Sequence, residues 1–230
     1  MDIEDAFRST SKNVFGKEIG ELEGYKKYLQ EAVVGKTVRS EFSQDELFVT
    51  SDRYCQNARF FDYNKEIGKF EGMNTPFDIN KIKDIDSLFD AARERVIYSG
   101  NKILGNSENV QHSDNVFDSF HVLNSSMVTK GRHIAYSYMM RESEYAFGSA
   151  DSGNCSNIIR CFNNYELKRC FECCYTLTSD SYFCFNVIDC TDCMFTFNVR
   201  NKRNMSRQVF LNKLKKNLLY RIIRIHHSNI

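Results

Sequence analysis

A twelve-residue recurrence of apolar side chains runs through the C-terminal half of the chain. The sequence of residues 183–187 (FCFNV) recurs in similar form at residues 195–199 (FTFNV). Counting back from Phe195 in intervals of twelve, each residue as far as Phe147 is apolar. Counting back from Phe197 in the same intervals, each residue as far as Ser149 is apolar or small. The two columns are Phe147, Ile159, Phe171, Phe183 and Phe195, and Ser149, Cys161, Cys173, Phe185 and Phe197.

Positions i and i+2 of a β-strand point to the same face. Polar, turn-forming stretches such as residues 178–181 and 200–204 divide the units. The pattern therefore predicts a parallel β-helix (a β-solenoid), in which equivalent side chains stack about 4.8 Å apart around an interior lined by aromatic rings and cysteines. Twelve residues fit either one small coil or one of two units in a larger coil. An antiparallel β-meander is the alternative fold.

The first hundred residues have a different, mixed pattern. A helical spacing from Ile19 to Val33 is followed by Gly35, and strand-like stretches follow at 46–50 and 58–61. A second helix is predicted over residues 80–98, and Gly and Asn cluster at 100–109. The predicted fold class is α+β, with a mixed α/β region (1–105), a β-solenoid (106–204) and a basic amphipathic capping helix (205–230). The apolar face of the second predicted helix comprises Ile82, Ile85, Phe89, Ala92 and Val96.

The C-terminal segment is strongly basic although the whole chain has a net charge of only +1. Residues 199–230 contain nine Lys or Arg and no acid. Ser206 is a suitable N-cap for a helix with a stripe of Leu and Ile, which we expect to cover the open edge of the last coil. Its cations predict contact with an acidic partner: another protein or subunit, nucleic acid or an anionic membrane surface. The predicted contact residues are Lys213, Lys215, Lys216, Arg221 and Arg224.

Eight of the nine cysteines lie between residues 155 and 193. Cys170 and Cys173 form one C-x2-C pair and Cys190 and Cys193 form a second, which is the spacing of a four-cysteine zinc site. The competing interpretation is a set of reduced thiols buried as small apolar groups, with no cofactor, because the twelve-residue period already accounts for Cys161 and Cys173. An iron–sulfur cluster is a third alternative.

Catalytic signals are weak. The chain has no P-loop and no GxGxxG motif, and its five histidines are not accompanied by a recognisable acid–base motif. Left-handed β-helix acyltransferases are the one enzyme class to weigh, but their aliphatic-Gly signature is missing. The first residues lack a basic and apolar leader, and no stretch of about 18 apolar residues is present, so neither a secretory signal nor a transmembrane segment is predicted.

Residues 190–202 (CTDCMFTFNVRNK) resemble the closing unit of Cys/Asn/aromatic-rich repeats in short-coil parallel β-helix proteins of microbial and phage type. The resemblance covers roughly residues 145–204 and implies a fold but no activity. We therefore expect a non-enzymatic structural or protein-interaction protein, a component of a larger assembly such as a virus particle, located in the cytoplasm or the virion. The alternative is a zinc-stabilised binding module that contacts nucleic acid through the basic helix.

Overall fold

A computed structural model describes residues 1–205, except 52, 56, 73–75, 77, 94 and 167. The helices lie in the first half of this range, and parallel β-structure follows. The α+β fold class is therefore confirmed. The predicted capping helix falls outside the described residues. The four α-helices of the described part are α1 (Ile3–Phe15), α2 (Lys26–Leu29), α3 (Tyr63–Gly72) and α4 (Ile85–Arg93).

The helix predicted over residues 19–33 is an irregular helical segment, in which α2 lies between the 3-10 turns Leu22–Tyr25 and Gln30–Ala32. The helix predicted over 80–98 is shorter, because the chain turns into a strand after α4. The two predicted strands are present. The N-terminal strands form an antiparallel pair, β1 (Lys36–Arg39) with β2 (Glu46–Val49), and a parallel pair, β3 (Arg59–Asp62) with β4 (Ile97–Gly100).

A parallel β-solenoid of about eight coils follows from residue 103. Each coil contributes one strand to a nine-stranded sheet, and the earlier coils contribute a second strand to a five-stranded sheet. The nine-stranded sheet contains β5 (Ile103–Leu104), β7 (Asp114–Phe117), β9 (Ser126–Thr129), β11 (Tyr138–Arg141), β13 (Ala150–Gly153), β15 (Phe162–Asn164), β16 (Cys174–Ser179), β17 (Phe185–Thr191) and β18 (Phe197–Arg200). The five-stranded sheet contains β6 (Glu108–Gln111), β8 (Phe120–Leu123), β10 (Arg132–Ala135), β12 (Glu144–Phe147) and β14 (Ile158–Ile159).

The strand register shows that twelve residues make one complete coil with two short strands. Asp114 pairs with Ser126 and Tyr138 with Ala150, and the pairing within both sheets is parallel, so the antiparallel meander is wrong. One coil is a residue shorter: Cys174 pairs with Phe185, eleven residues on, and a bulge at Leu177 and Thr178 restores the twelve-residue step.

A three-residue rhythm underlies this period. From residue 109 to residue 154, every third residue has a positive φ. The residue that directly follows each of these positions is buried throughout the series from Ser113 to Cys155. Left-handed residues change the direction of the chain, so each coil has four short sides of three residues. Asn and Asp tolerate this conformation best, which explains the abundance of Asn in the repeats.

Small side chains fill the interior, and the prediction of an aromatic interior is wrong. Phe147 and Ile159 face outwards into a second core, where the Phe147 ring lies 5.1 Å from the ring of Phe7 on α1. The predicted rings do stack, since Phe171, Phe183 and Phe195 have ring centroids 5.0 Å apart, but they lie on the outside of the coil. Tyr182 and not Phe183 is paired with Phe171, so the column shifts by one position at the eleven-residue coil. Three-residue sides leave no room inside for stacked rings.

Candidate functional site

The interior contains a serine column that is structural. The hydroxyl of Ser125 donates to the carbonyl of Leu123 (2.8 Å) and accepts from the backbone N–H of Ser137, one coil later (3.0 Å). Ser113, Ser137 and Ser149 repeat the arrangement. Each buried hydroxyl is therefore satisfied by its own coil and the next, which fixes the vertical register.

Thiols replace hydroxyls in the later coils. Cys161 donates its backbone N–H to Ser149 Oγ (3.1 Å), and Cys173 and Cys184 continue the same column. A thiol is larger and more apolar than a hydroxyl, so it fills the same position with a weaker hydrogen bond. The cysteines buried in the interior are Cys155, Cys161, Cys170, Cys173, Cys184, Cys190 and Cys193.

The four cysteines of the predicted zinc site are all interior, but they are distributed over three corners and over more than one coil. Cys170 and Cys193 share a column two coils apart, with Ser181 between them, so about 10 Å separates their levels. Thiolates on one zinc ion lie about 4 Å from each other. Among the residues that the structure describes, no group of three or more His, Cys, Asp or Glu is arranged to hold a metal ion. Zinc binding stays a prediction.

The C-x2-C spacing has a structural origin in the three-residue rhythm. Cys170 and Cys173 occupy successive interior corners, as do Cys190 and Cys193. Two cysteines at neighbouring corners are necessarily three residues apart. The spacing that suggests a zinc site is therefore also what an unmetallated thiol interior produces.

The pKa shifts of the buried thiols differ in direction: hydrogen bonds with Cys173 lower the pKa of Cys170 and Cys184. Hydrogen bonds with the thiols of Cys161, Cys170 and Cys184, together with burial, raise the pKa of Cys173 well above its usual value. Burial raises the pKa of Cys155 to about 12. A nucleophilic or metal-binding cysteine needs the thiolate, so these two positions are suited to packing.

The N-terminal region is fixed to the first coils by a buried carboxylate. Asp114 is fully buried and accepts hydrogen bonds from the backbone N–H groups of Thr50 (2.9 Å) and Lys102 (2.8 Å), and from Lys102 Nζ (2.9 Å). Thr50 directly follows β2, and Lys102 lies between β4 and the first strand of the solenoid. Asp114 is therefore an anchor between the N-terminal region and the first coils.

A second anchor lies further along the solenoid. Arg160 donates to Glu172 (2.7 Å) and to Glu31, and its guanidinium lies 4.5 Å from the ring centroid of Tyr28. The Tyr28 hydroxyl also bonds to Glu172, and burial followed by the charge of Glu172 raises the pKa of Tyr28. This half-buried group ties the irregular helical segment to the coil exterior.

The histidines of the described residues, His112, His121 and His133, lie on the exterior of the coils. His121 and His133 stack with ring centroids 4.8 Å apart, and His133 Nε2 lies 2.9 Å from the carbonyl of Met1. Burial lowers the pKa of His133, and the neighbouring His121 adds to the effect. Their contacts hold the start of α1 against the solenoid, and His112 is exposed.

Helix α4, which lies within the second predicted helix, exposes its apolar face. Ile85, Leu88 and Phe89 lie at positions i, i+3 and i+4 and are 67%, 42% and 57% exposed. No residue of α4 is buried. Ile79 and Val96, on either side of the helix, are exposed as well. We call Ile85, Leu88 and Phe89 the α4 face.

A second apolar surface lies on the outer face of the nine-stranded sheet, at its C-terminal coils. It consists of Tyr165, Tyr175, Leu177 and Phe185, which are each about half exposed and which we call the aromatic patch. The rings of Tyr175 and Phe185 touch edge to face, with centroids 5.6 Å apart. The patch follows three successive coils.

The predicted contact residues Lys213, Lys215, Lys216, Arg221 and Arg224 lie outside the described residues. In the part of the chain that is described, no helix is both long and apolar enough to cross a bilayer.

No protein-family model, no curated protein and no solved structure matches it. The functional argument therefore depends on the surfaces described above.

Proposed function

We propose that this protein is a non-enzymatic structural protein that associates with copies of itself, through the α4 face, as a component of a larger assembly such as a virus particle. The observation that carries the proposal is the exposure of Ile85, Leu88 and Phe89 on an amphipathic helix that buries none of its residues. Soluble monomers rarely leave contiguous apolar surface exposed, and such surface marks protein-interaction sites.

A second copy of the chain is the partner that the surface fits best. The three apolar side chains form one stripe of a short helix, and two such stripes pack against each other around a two-fold axis. Asp86 and Asp90 lie on the solvent side of the stripe, away from the contact. The net charge of +1 gives two copies little electrostatic reason to stay apart.

The rigid solenoid supports this role. Its coils contact mainly their neighbours, and buried anchors hold the N-terminal region to it.

The test is the mass of the particle in solution by light scattering. We expect the 26.9 kDa chain to form a species of at least two copies, and the double variant Leu88→Glu/Phe89→Glu to be monomeric. The matched control is Asp90→Arg, which changes the net charge by the same magnitude on the other side of the helix and should keep the wild-type mass. A wild-type monomer across the accessible concentrations, or a double variant that assembles like the wild type, would refute the proposal.

A further inference from the structure

We propose that the C-terminal segment, residues 206–230 of the same chain, docks on the aromatic patch. The interaction is intramolecular and independent of the α4 face. Tyr175 and Leu177 flank the inward-pointing Thr176 on β16, so both project from the outer face of the sheet. Phe185 on β17 touches Tyr175, and Tyr165 precedes Leu177 by one coil.

A column of acids borders the patch. Glu142, Glu166 and Asp189 each have a positive φ and occupy equivalent positions in their coils. Glu166 directly follows Tyr165, and Asp189 directly follows Ile188, which pairs with Leu177. All three carboxylates are exposed, and none has an ion pair within the described residues. The patch therefore has the exposed carboxylates of Glu166 and Asp189 on one side. Arg141 and Arg200 lie in its own row, two coils before Tyr165 and two coils after Leu177.

The C-terminal segment has the complementary composition. It contains six Lys or Arg and no acid, and its Leu and Ile residues recur at helical spacing from Leu211 to Ile225. In the helix that the sequence predicts, this stripe is about 21 Å long. The outer rows of the patch are two coils, or about 10 Å, apart, so the stripe is long enough to cover it.

The path of the chain permits the contact. The last described residue, Met205, is half-buried and packs against the interior of the final coil. Residues 206–210, which precede the first Leu of the stripe, reach up to about 17 Å when extended. One side of a coil is three residues long, or about 10 Å, so this connection reaches the outer face of the nine-stranded sheet.

The size of the patch suits an attached segment. Four large side chains that are about half exposed present roughly 400 Å² of surface. A segment of the same chain can occupy so small an area, because its effective concentration at the patch is in the millimolar range.

Hydrogen exchange of the full-length protein, read by mass spectrometry on peptides from residues 211–225, tests the proposal. The measurement is made in the Leu88→Glu/Phe89→Glu background, so that self-association through α4 does not contribute. We expect these amides to exchange at least about tenfold more slowly than in an unstructured peptide. The substitutions Tyr175→Asp/Leu177→Asp should remove that protection, and Glu166→Lys/Asp189→Lys should reduce it.

The chain offers a matched control on the same sheet. Met127 and Phe117 are exposed apolar residues at the positions that Tyr175 and Leu177 occupy, four and five coils earlier. Phe117→Asp/Met127→Asp should leave the protection of residues 211–225 unchanged. Three results would each overturn the proposal. They are unprotected amides in the starting protein, protection that is unchanged by both Tyr175→Asp/Leu177→Asp and Glu166→Lys/Asp189→Lys, and protection that rises with protein concentration. The last result would show that a second chain occupies the patch.

Discussion

Residues in the left-handed conformation give this solenoid its small coil. In most folds such residues are isolated, but here Asn, Asp, His, Met and Tyr adopt a positive φ at every third position over many coils. The strain is repeated and is balanced by parallel hydrogen bonds and by a packed interior. The interior corners must then hold side chains that are small enough for a narrow coil, which explains the Ser, Cys and Val of the four columns.

Gly131 tests how tightly the interior is packed. A Cβ atom at this position would lie 2.6 Å from Val128 Cγ1 and 3.0 Å from Ile134 Cγ1. We expect Gly131→Ala to lower the free energy of unfolding by about 1–3 kcal/mol, because neither side chain has room to move. Gly68 on α3 has no atom near the equivalent position, so Gly68→Ala should be neutral or stabilising in the same denaturant titration. An equally stable Gly131→Ala would show that the coil is wider than described.

Arg160 tests the anchor of the irregular helical segment. Its side chain is 9% exposed and bonds to Glu172, which is 16% exposed. Arg160→Met leaves that carboxylate half-buried without its main partner, and we expect a loss of about 3 kcal/mol in the free energy of unfolding. Arg160→Met/Glu172→Gln should recover part of the loss. A double variant less stable than the single variant would contradict this explanation, and chemical denaturation measures both.

At the scale of elements, the repeat and its parallel stacking could be predicted from the sequence, but the side that faces inwards could not. The column from Phe147 to Phe195 and the cysteine column recur with the same period, and hydrophobicity favours the aromatic one as the core. The missing information was the three-residue rhythm, which leaves each coil too narrow for rings. The twelve-residue step also fails at the eleven-residue coil. It placed Cys173, which faces inwards, in the same predicted column as Phe185, which faces outwards.

Helix α1 was not predicted, although its capping box at Asp2 and Asp5 is visible in the sequence. Its buried face includes Thr10 and Ser11 beside Phe7, which weakens the apolar pattern. Only the folded solenoid supplies the aromatic column that the helix covers. Likewise, the apolar pattern of α4 indicates a helix but does not tell whether its face is buried or exposed.

Phe7 tests whether α1 links coils that otherwise touch only their neighbours. The helix packs on β10, β12 and β14, which belong to successive coils, and Phe7 is 1% exposed against Phe147. We expect Phe7→Ala to cost about 3–5 kcal/mol and to broaden the unfolding transition, because the coils lose a common brace. Lys12→Ala is the control, because Lys12 is exposed on α1 and its ion pair with Glu18 does not involve the solenoid. An unchanged transition for Phe7→Ala would refute the bracing role.

At the scale of the whole molecule, the solenoid has a closed flank and an open one. The N-terminal region covers the exterior of the five-stranded sheet, and the aromatic patch and the α4 face stay exposed within the described residues. These two surfaces carry the proposed intramolecular docking and the proposed self-association, respectively. Either proposal can fail without the other.

Metal analysis tests the interpretation of the cysteines. Because the four candidate ligands are distributed over three corners and more than one coil, we expect purified protein to contain substoichiometric zinc and to keep its unfolding temperature in the presence of a chelator. One zinc ion per chain, lost together with the folded structure, would instead establish the four-cysteine site.

The placement of thiols inside and aromatic rings outside is the central claim, and thiol labelling of the native protein in chelator tests it most directly. Cys55 is exposed and Cys174 is half-buried on the outer face, whereas seven cysteines are buried in the interior. We predict that a maleimide, followed by peptide mass spectrometry, modifies Cys55 first and Cys174 slowly, and reaches Cys161, Cys173 and Cys184 only when the protein unfolds. Labelling of those three thiols at the rate of Cys55 in the folded protein would contradict the account.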